Sequence, residues 1–217
     1  MLAKINTYTL LYFIASILSL FFIDNDSMTE LILKLFALTF LSFLYLSETQ
    51  KINYWYVLVL LCSIASDAFF IFEDDFLIVA AALLFVNKIL YIIIARRALF
   101  QTKLKTLLFY FTVCLLVFVI FYVMLKPYVE QISYTFILLG VSNTLAILFA
   151  FLNYLNKMNK ENKHFLFGIF LIIFCDILMA FNKFLEYQII YVIIYTSIYY
   201  VARYLICRSL IIEKRIK

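Results

Sequence analysis

The sequence predicts an all-α protein, a polytopic membrane bundle of transmembrane helices. Hydrophobic residues make up 67% of the 217 residues and charged residues 14%, and the mean hydropathy is +1.07. Soluble domains are about half apolar and about a quarter charged, so this composition excludes a soluble domain. Glycine occurs twice and proline once, so long loops are not expected. We therefore interpret residues 1–217 as a single integral membrane domain.

Apolar segments long enough to cross a bilayer, which takes roughly 17–25 residues, recur along the chain, and charged residues separate them. Such segments span as helices because a helix satisfies its backbone hydrogen bonds internally. The first follows Lys4 and lacks the small-residue cleavage site of a signal peptide, so we expect a retained helix. The eight predicted spans cover about residues 8–23, 29–47, 53–71, 76–95, 104–125, 132–152, 164–181 and 187–207.

The charges between the spans predict the orientation. Thirteen basic residues fall on one side of the predicted membrane and two on the other, where most of the acids lie. This asymmetry follows the positive-inside rule and predicts that both termini are cytoplasmic. The two basic residues on the acidic side are Lys126 and Lys183. The net charge of +5 then reflects topology and contact with anionic lipids, and nucleic acid is not an expected partner.

Histidine and cysteine usage argues against a metal site. His164 is the only histidine, so a histidine-built metal centre cannot be assembled. Four cysteines lie far apart in apolar segments without a CxxC motif, which is typical of small buried hydrophobes. We expect no metal and no cofactor.

Five ionisable residues remain inside the predicted spans: Lys34, Asp67, Lys88, Asp176 and Arg203. Such residues are costly in a bilayer, face the bundle interior, and indicate function by default. A structural interpretation is also open for each. Arg203 and Lys34 have stems long enough to extend to the membrane surface, and Asp67 could form a structural pair with Lys34.

Polar neighbours of these charges favour a pocket inside the bundle. In the last span, Tyr191, Tyr195, Tyr199 and Arg203 follow one another at four-residue steps, so they form a single stripe along the helix. Three asparagines add amides in other spans: Asn87, Asn143 and Asn182.

Five segments resemble the YhhN-like family of lysoplasmalogenases, which are eight-span membrane proteins of about this length. The segment LKLFALTFLSFLY resembles the family's Lys-Pro-Leu segment, with Lys34 in place and Leu35 for the proline. The segment SIASDAFFIF resembles the family's Leu-Gly-Asp segment, with Ser66 at the glycine position and Asp67 retained.

The other three segments lie in later spans, in the family's order. LLFVNKILYIIIA keeps the family tyrosine as Tyr91, but Lys88 stands where histidine is usual. FGIFLIIFCDILMAFNKF resembles a Phe-x-x-Ser-Asp segment followed by Ala-Leu-Asn, and it keeps Asp176 and Asn182. YYVARYLICRSL resembles the terminal family segment, with Arg203 where glutamine or histidine is expected.

The resemblance implies an ether hydrolase that cleaves the vinyl ether bond of a lysoplasmalogen or related lysolipid to a fatty aldehyde and a glycerophospho-headgroup. A vinyl ether hydrolyses by protonation of its alkene carbon, which needs an acid donor and a carboxylate that stabilises the cation. Asp67 and Asp176 are the expected catalytic residues. The expected substrate-binding residues are Lys34, Lys88, Tyr91, Asn182, Tyr199 and Arg203.

The expected partners are the lysophospholipid substrate and membrane lipids, and the expected location is a bacterial inner membrane. The basic residues Lys88 and Arg203 add positive charge to the pocket, so they favour a more anionic substrate or a salt bridge with Asp176. Two other interpretations stay open. One is a lipid- or ion-handling transporter without catalysis, and the other treats the buried charges as structural salt bridges.

Overall fold

A computed structural model describes residues 6–23, 27–71, 73–96, 100–128 and 133–215. These residues contain α-helices, one 3₁₀ turn and no strand. In chain order the helices are α1 (Thr7–Leu20), α2 (Ser27–Glu48), α3 (Tyr54–Ile71), α4 (Glu73–Ala95), α5 (Leu104–Leu125), α6 (Ser133–Asn156), α7 (Lys160–Phe184) and α8 (Ile189–Arg215). The 3₁₀ turn Lys126–Tyr128 follows α5. The predicted helical membrane bundle is confirmed.

Six of the described helices are long and apolar enough to cross a membrane, namely α2 and α4 to α8. The helix α1 and the apolar stretch Tyr54–Phe69 of α3 are shorter. The count of eight spans, the cytoplasmic termini and the single domain therefore stay predictions. The protein has the features of a multi-pass membrane protein.

Several helices are longer than the predicted spans, among them α7 and α8. The helix α7 begins at Lys160, because the side chain of Asn159 accepts a hydrogen bond from the backbone N–H of Asn162 and so caps the helix early. The helix α8 runs on to Arg215 instead of ending near residue 207. Arg203 therefore lies near the middle of a 27-residue helix, well away from its end.

Seven helices form a ring in the order α1, α2, α3, α4, α6, α7 and α8. The ring closes where α8 packs against α1 and α2. A hydrogen bond from Tyr12 Oη to the Tyr200 carbonyl oxygen (2.7 Å) strengthens this closure. The helix α5 lies outside the ring, against α6, and most of its side chains are exposed or half-buried.

Both glycines allow two helices to approach closely. A Cβ at Gly140 would overlap the Phe118 ring of α5, and one at Gly168 would lie 2.5 Å from Ile206 Cγ1 and 3.0 Å from the Ala202 carbonyl oxygen of α8. Small residues have this role at helix contacts in membranes, where close packing stabilises association. The ring order and these contacts determine which side chains meet in the interior.

Candidate functional site

Asp67 and Arg203 form a bidentate ion pair across the ring. Arg203 Nη1 donates to Asp67 Oδ2 (2.6 Å) and Nη2 donates to Oδ1 (2.8 Å). The two residues lie on α3 and α8, which are not neighbours in the ring, so the contact crosses the interior. Only 4% of the Arg203 side chain is exposed. The interpretation of Arg203 as a residue that extends to the membrane surface was wrong, because its side chain is buried and pairs with Asp67.

Lys88 and Asp176 form a second ion pair across the ring. Lys88 Nζ lies 2.6 Å from Asp176 Oδ2. The residues lie on α4 and α7, which α6 separates. From α6, Asn143 Nδ2 donates a hydrogen bond to the same oxygen, Asp176 Oδ2, at 3.0 Å. The expectation that a basic residue could bridge to Asp176 is confirmed for Lys88.

Two tyrosines lie near the two ion pairs. The guanidinium of Arg203 lies over the Tyr199 ring, 4.2 Å from its centroid, in a cation–π contact. The Tyr199 hydroxyl lies within electrostatic range of Arg203, Asp176 and Asp67. Tyr91, buried on α4, lies within the same range of Arg203 and Asp176. The two acids, their cations and the tyrosines therefore form one charged cluster inside the bundle, here called the interior cluster.

Several polar atoms near the interior cluster have no hydrogen-bond partner in the described part of the chain. They are Ser66 Oγ, Asn87 Oδ1 and Asn143 Oδ1, all buried. Asn87 uses its other end to donate to Ser63 Oγ at 3.2 Å. Buried polar groups without partners are rare, so these atoms are candidates for contact with water or with a polar part of a ligand.

An apolar cavity of about 780 Å³ lies beside the interior cluster. Its walls come from α4, α5, α6 and α7, with Tyr195 from α8. Asp176 and Asn143 contribute polar atoms to the wall, and Asn182, Lys183 and Tyr187 lie at the end where α7 meets α8. Asp67 is not part of this wall. Asp176 is thus the acid that combines a basic partner with access to an apolar space.

Two expected substrate-binding residues have structural contacts. Lys34 pairs with Glu30, one turn earlier on α2, so the alternative of a Lys34–Asp67 pair was wrong. The Oδ1 atom of Asn182 accepts from the backbone N–H of Gln188 at 2.8 Å and so ties the end of α7 to the start of α8. Asn182 also lines the cavity, whereas Lys34 does not.

Sequence reasoning noted Asn143 as one amide among several but did not include it in the site. Its signal was weak, because an isolated asparagine in an apolar helix is compatible with many contacts. In the ranges that the structure describes, no three histidine, cysteine or acidic side chains are grouped so that they could share a metal ion.

Comparison with known proteins gives one match. The model of the YhhN family matches residues 28–210, which covers most of the chain and all the residues of the interior cluster. No curated protein matches the chain. No solved structure matches it either.

Proposed function

Because the chain belongs to the YhhN family, we propose that it is a membrane-embedded hydrolase that cleaves the vinyl ether bond of a lysoplasmalogen. The products are a fatty aldehyde and a glycerophospho-headgroup. The observation that carries the proposal is Asp176, which is paired with Lys88, hydrogen-bonded to Asn143 and exposed to an apolar cavity.

The chemistry needs a proton first and a water second. Protonation of the alkene carbon that is remote from the ether oxygen gives an oxocarbenium ion, and water adds to its carbon. The resulting hemiacetal breaks its C–O bond to the glycerol and releases the aldehyde and the glycerol hydroxyl. One water is consumed, and the catalyst regains its proton.

The Lys88–Asp176 pair can supply that proton. Lys88 Nζ lies 2.6 Å from Asp176 Oδ2, so a proton can pass between the two side chains. Asp176 is the member of the pair that lines the cavity, so it delivers the proton to the substrate. Asn143 orients the carboxyl group through Oδ2, and its own buried Oδ1 can accept a hydrogen bond from the attacking water.

Asp67 is assigned the complementary role. Both carboxylate oxygens of Asp67 accept hydrogen bonds from the Arg203 guanidinium, so Asp67 serves as the counter-ion of this arginine. This carboxylate offsets the charge of Arg203, which would otherwise oppose a developing cation in the bundle interior. One acid that exchanges a proton and one that stays ionised is the usual division of labour in acid–base catalysis.

The test uses purified protein and a panel of lysolipids with one headgroup and an alkenyl, alkyl or acyl chain. Mass spectrometry should detect long-chain aldehyde from the alkenyl lipid alone. Asp176→Asn and Asp67→Asn should each abolish it, whereas Glu48→Gln, a control acid at the far end of α2, should not. Aldehyde release that survives in folded Asp176→Asn protein would contradict the proposal.

A second candidate is a lipid- or ion-handling transporter without catalysis. The observation in its favour is that each interior acid is neutralised by a buried base, an arrangement that suits proton or anion coupling. Substrate-dependent proton flux into liposomes, together with unchanged lipids, would support this candidate over the hydrolase.

A further inference from the structure

The cavity separates two helices that line it from opposite sides. Val117 and Phe121 of α5 lie on one wall, and Ile173 and Phe174 of α7 lie on the other. Among the described helices, α5 packs over its length against α6 alone. A contact between the Phe121 and Phe181 rings, with centroids 6.3 Å apart, joins α5 to α7 near the end where α7 meets α8. Away from that contact, both helices line the cavity.

This space reaches the outer surface of the bundle. Several residues that line the cavity are also well exposed: Val113 (45%), Val117 (51%), Phe170 (54%) and Phe174 (41%). The cavity is only partly enclosed. In a membrane protein, apolar side chains on this outer surface face the acyl chains of the bilayer.

The polar groups of the wall divide the cavity along its length. Asp176 precedes Lys183 by seven residues and follows Phe170 by six, which places it ~10 Å from the first and ~9 Å from the second along α7. The stretch from Asp176 toward Lys183 carries the polar residues Asn182 and Tyr187. The stretch toward Phe170 is lined by apolar side chains such as Ile147 and Ile173.

We propose that the gap between α5 and α7 is a lateral portal through which the single alkyl chain of a lysolipid enters from the bilayer. The chain lies between Val117 and Ile173, its linkage to glycerol lies at Asp176, and its headgroup lies toward Lys183. The identity of that linkage as a vinyl ether rests on the proposed function. A volume of about 780 Å³ suits one such molecule, because pockets of roughly 300–1,000 Å³ hold one small ligand.

An open side has a consequence for selectivity. Each methylene transferred from water into a closed pocket would strengthen binding about fourfold. A chain that enters from the bilayer moves from one apolar environment to another, and its end can remain among the acyl chains. The portal therefore predicts that lysolipids with 14 to 20 chain carbons compete with less than about a twofold change per added methylene.

The experiment uses the full protein in nanodiscs with a lysolipid that has a saturated ether linkage and a diazirine in its chain. After irradiation, mass spectrometry of peptides should place the label on α5 and α7. Val117→Trp fills the gap and should lower labelling about tenfold, as expected for overpacking. The matched control is Leu116→Trp, since Leu116 is the adjacent residue, 59% exposed and outside the cavity wall, and labelling should not change.

The native thiols give a second measurement that needs no tryptophan. Cys114 lines the cavity, whereas Cys62, also half-buried, lies on α3 outside its wall. Lysolipid should slow alkylation of Cys114 by N-ethylmaleimide and leave that of Cys62 unchanged. Label confined to helices that do not line the cavity, equal labelling of both tryptophan variants, or equal protection of both thiols would overturn the portal.

The saturated ether cannot be hydrolysed by alkene protonation, so binding is measured apart from catalysis. Label on α5 and α7 without aldehyde release from the alkenyl lipid would support the portal and contradict the hydrolase. Aldehyde release by protein whose label is confined to helices that do not line the cavity would contradict the portal and leave the hydrolase in place.

Discussion

Replacing Asp67 with asparagine should destabilise the protein strongly, because it leaves the Arg203 guanidinium buried without its counter-ion. The Arg203 side chain is 4% exposed and that of Asp67 is 16% exposed, so the pair belongs to the buried class. Removal of one partner of such a pair costs about 3–5 kcal/mol of unfolding free energy. For a chain of this size the loss corresponds to a fall in Tm of roughly 6–20 °C.

A second substitution should reverse most of this loss. In Asp67→Asn/Arg203→Gln no charge is left unpaired, and replacing both members of a buried pair is often close to neutral. The matched control is the Glu48–Arg208 pair, which joins α2 to the same helix α8 but has an Arg208 side chain that is 32% exposed. Arg208→Gln should cost about 0–1 kcal/mol, since solvent already screens that contact.

Equilibrium unfolding in mixed detergent micelles measures Asp67→Asn, Arg203→Gln, the double variant and Arg208→Gln on one scale. The reasoning is refuted if Asp67→Asn costs less than about 1 kcal/mol, or if the double variant loses as much as the sum of its single changes. The stable double variant also separates structure from catalysis. If it folds but releases no aldehyde, Asp67 and Arg203 contribute to the chemistry; if it retains full activity, their pair is structural.

Three further predictions concern the rest of the site and the helix contacts. Lys88→Met should abolish aldehyde release and lower the unfolding free energy by about 3–5 kcal/mol, because Asp176 loses its buried counter-ion. The double variant Lys88→Met/Asp176→Asn should recover stability but not activity. Recovery of activity would show that the pair has no part in the mechanism. Asn143→Leu should lower the kcat of aldehyde release by about 10- to 100-fold, since a hydrogen bond to a charged group contributes about 1.5–3 kcal/mol. An unchanged kcat would contradict the role assigned to Asn143. Gly168→Ala should lower the unfolding free energy by about 1–3 kcal/mol, because the new methyl group meets a backbone carbonyl oxygen that cannot rotate away. A rise in Tm would show that α7 and α8 can separate at little cost.

Much of the fold was predictable from the sequence. Apolar segments about 20 residues long, separated by charged residues, lead to helices because no other open structure satisfies the backbone in lipid. The same reasoning identified Asp67, Lys88, Asp176 and Arg203 as interior residues, since a charge in such a segment needs a partner. Helix ends were less predictable. The cap at Asn159 starts α7 before its predicted span, and α8 continues beyond its predicted span, because caps and tertiary contacts extend helices beyond their apolar cores.

The sequence by itself thus determined that the chain forms apolar helices and which of its charges lie among them. Only the tertiary structure decided the partners. Asp67 meets Arg203 and not Lys34, and Asp176 meets Lys88 and Asn143, because the ring order brings α3 opposite α8 and places α4 and α7 on either side of α6. The cavity has the same origin, since it exists where α5 lies outside the ring and leaves α7 uncovered. Periodicity along one helix carries no information about which helix stands across the bundle, so contacts between distant segments follow from packing alone.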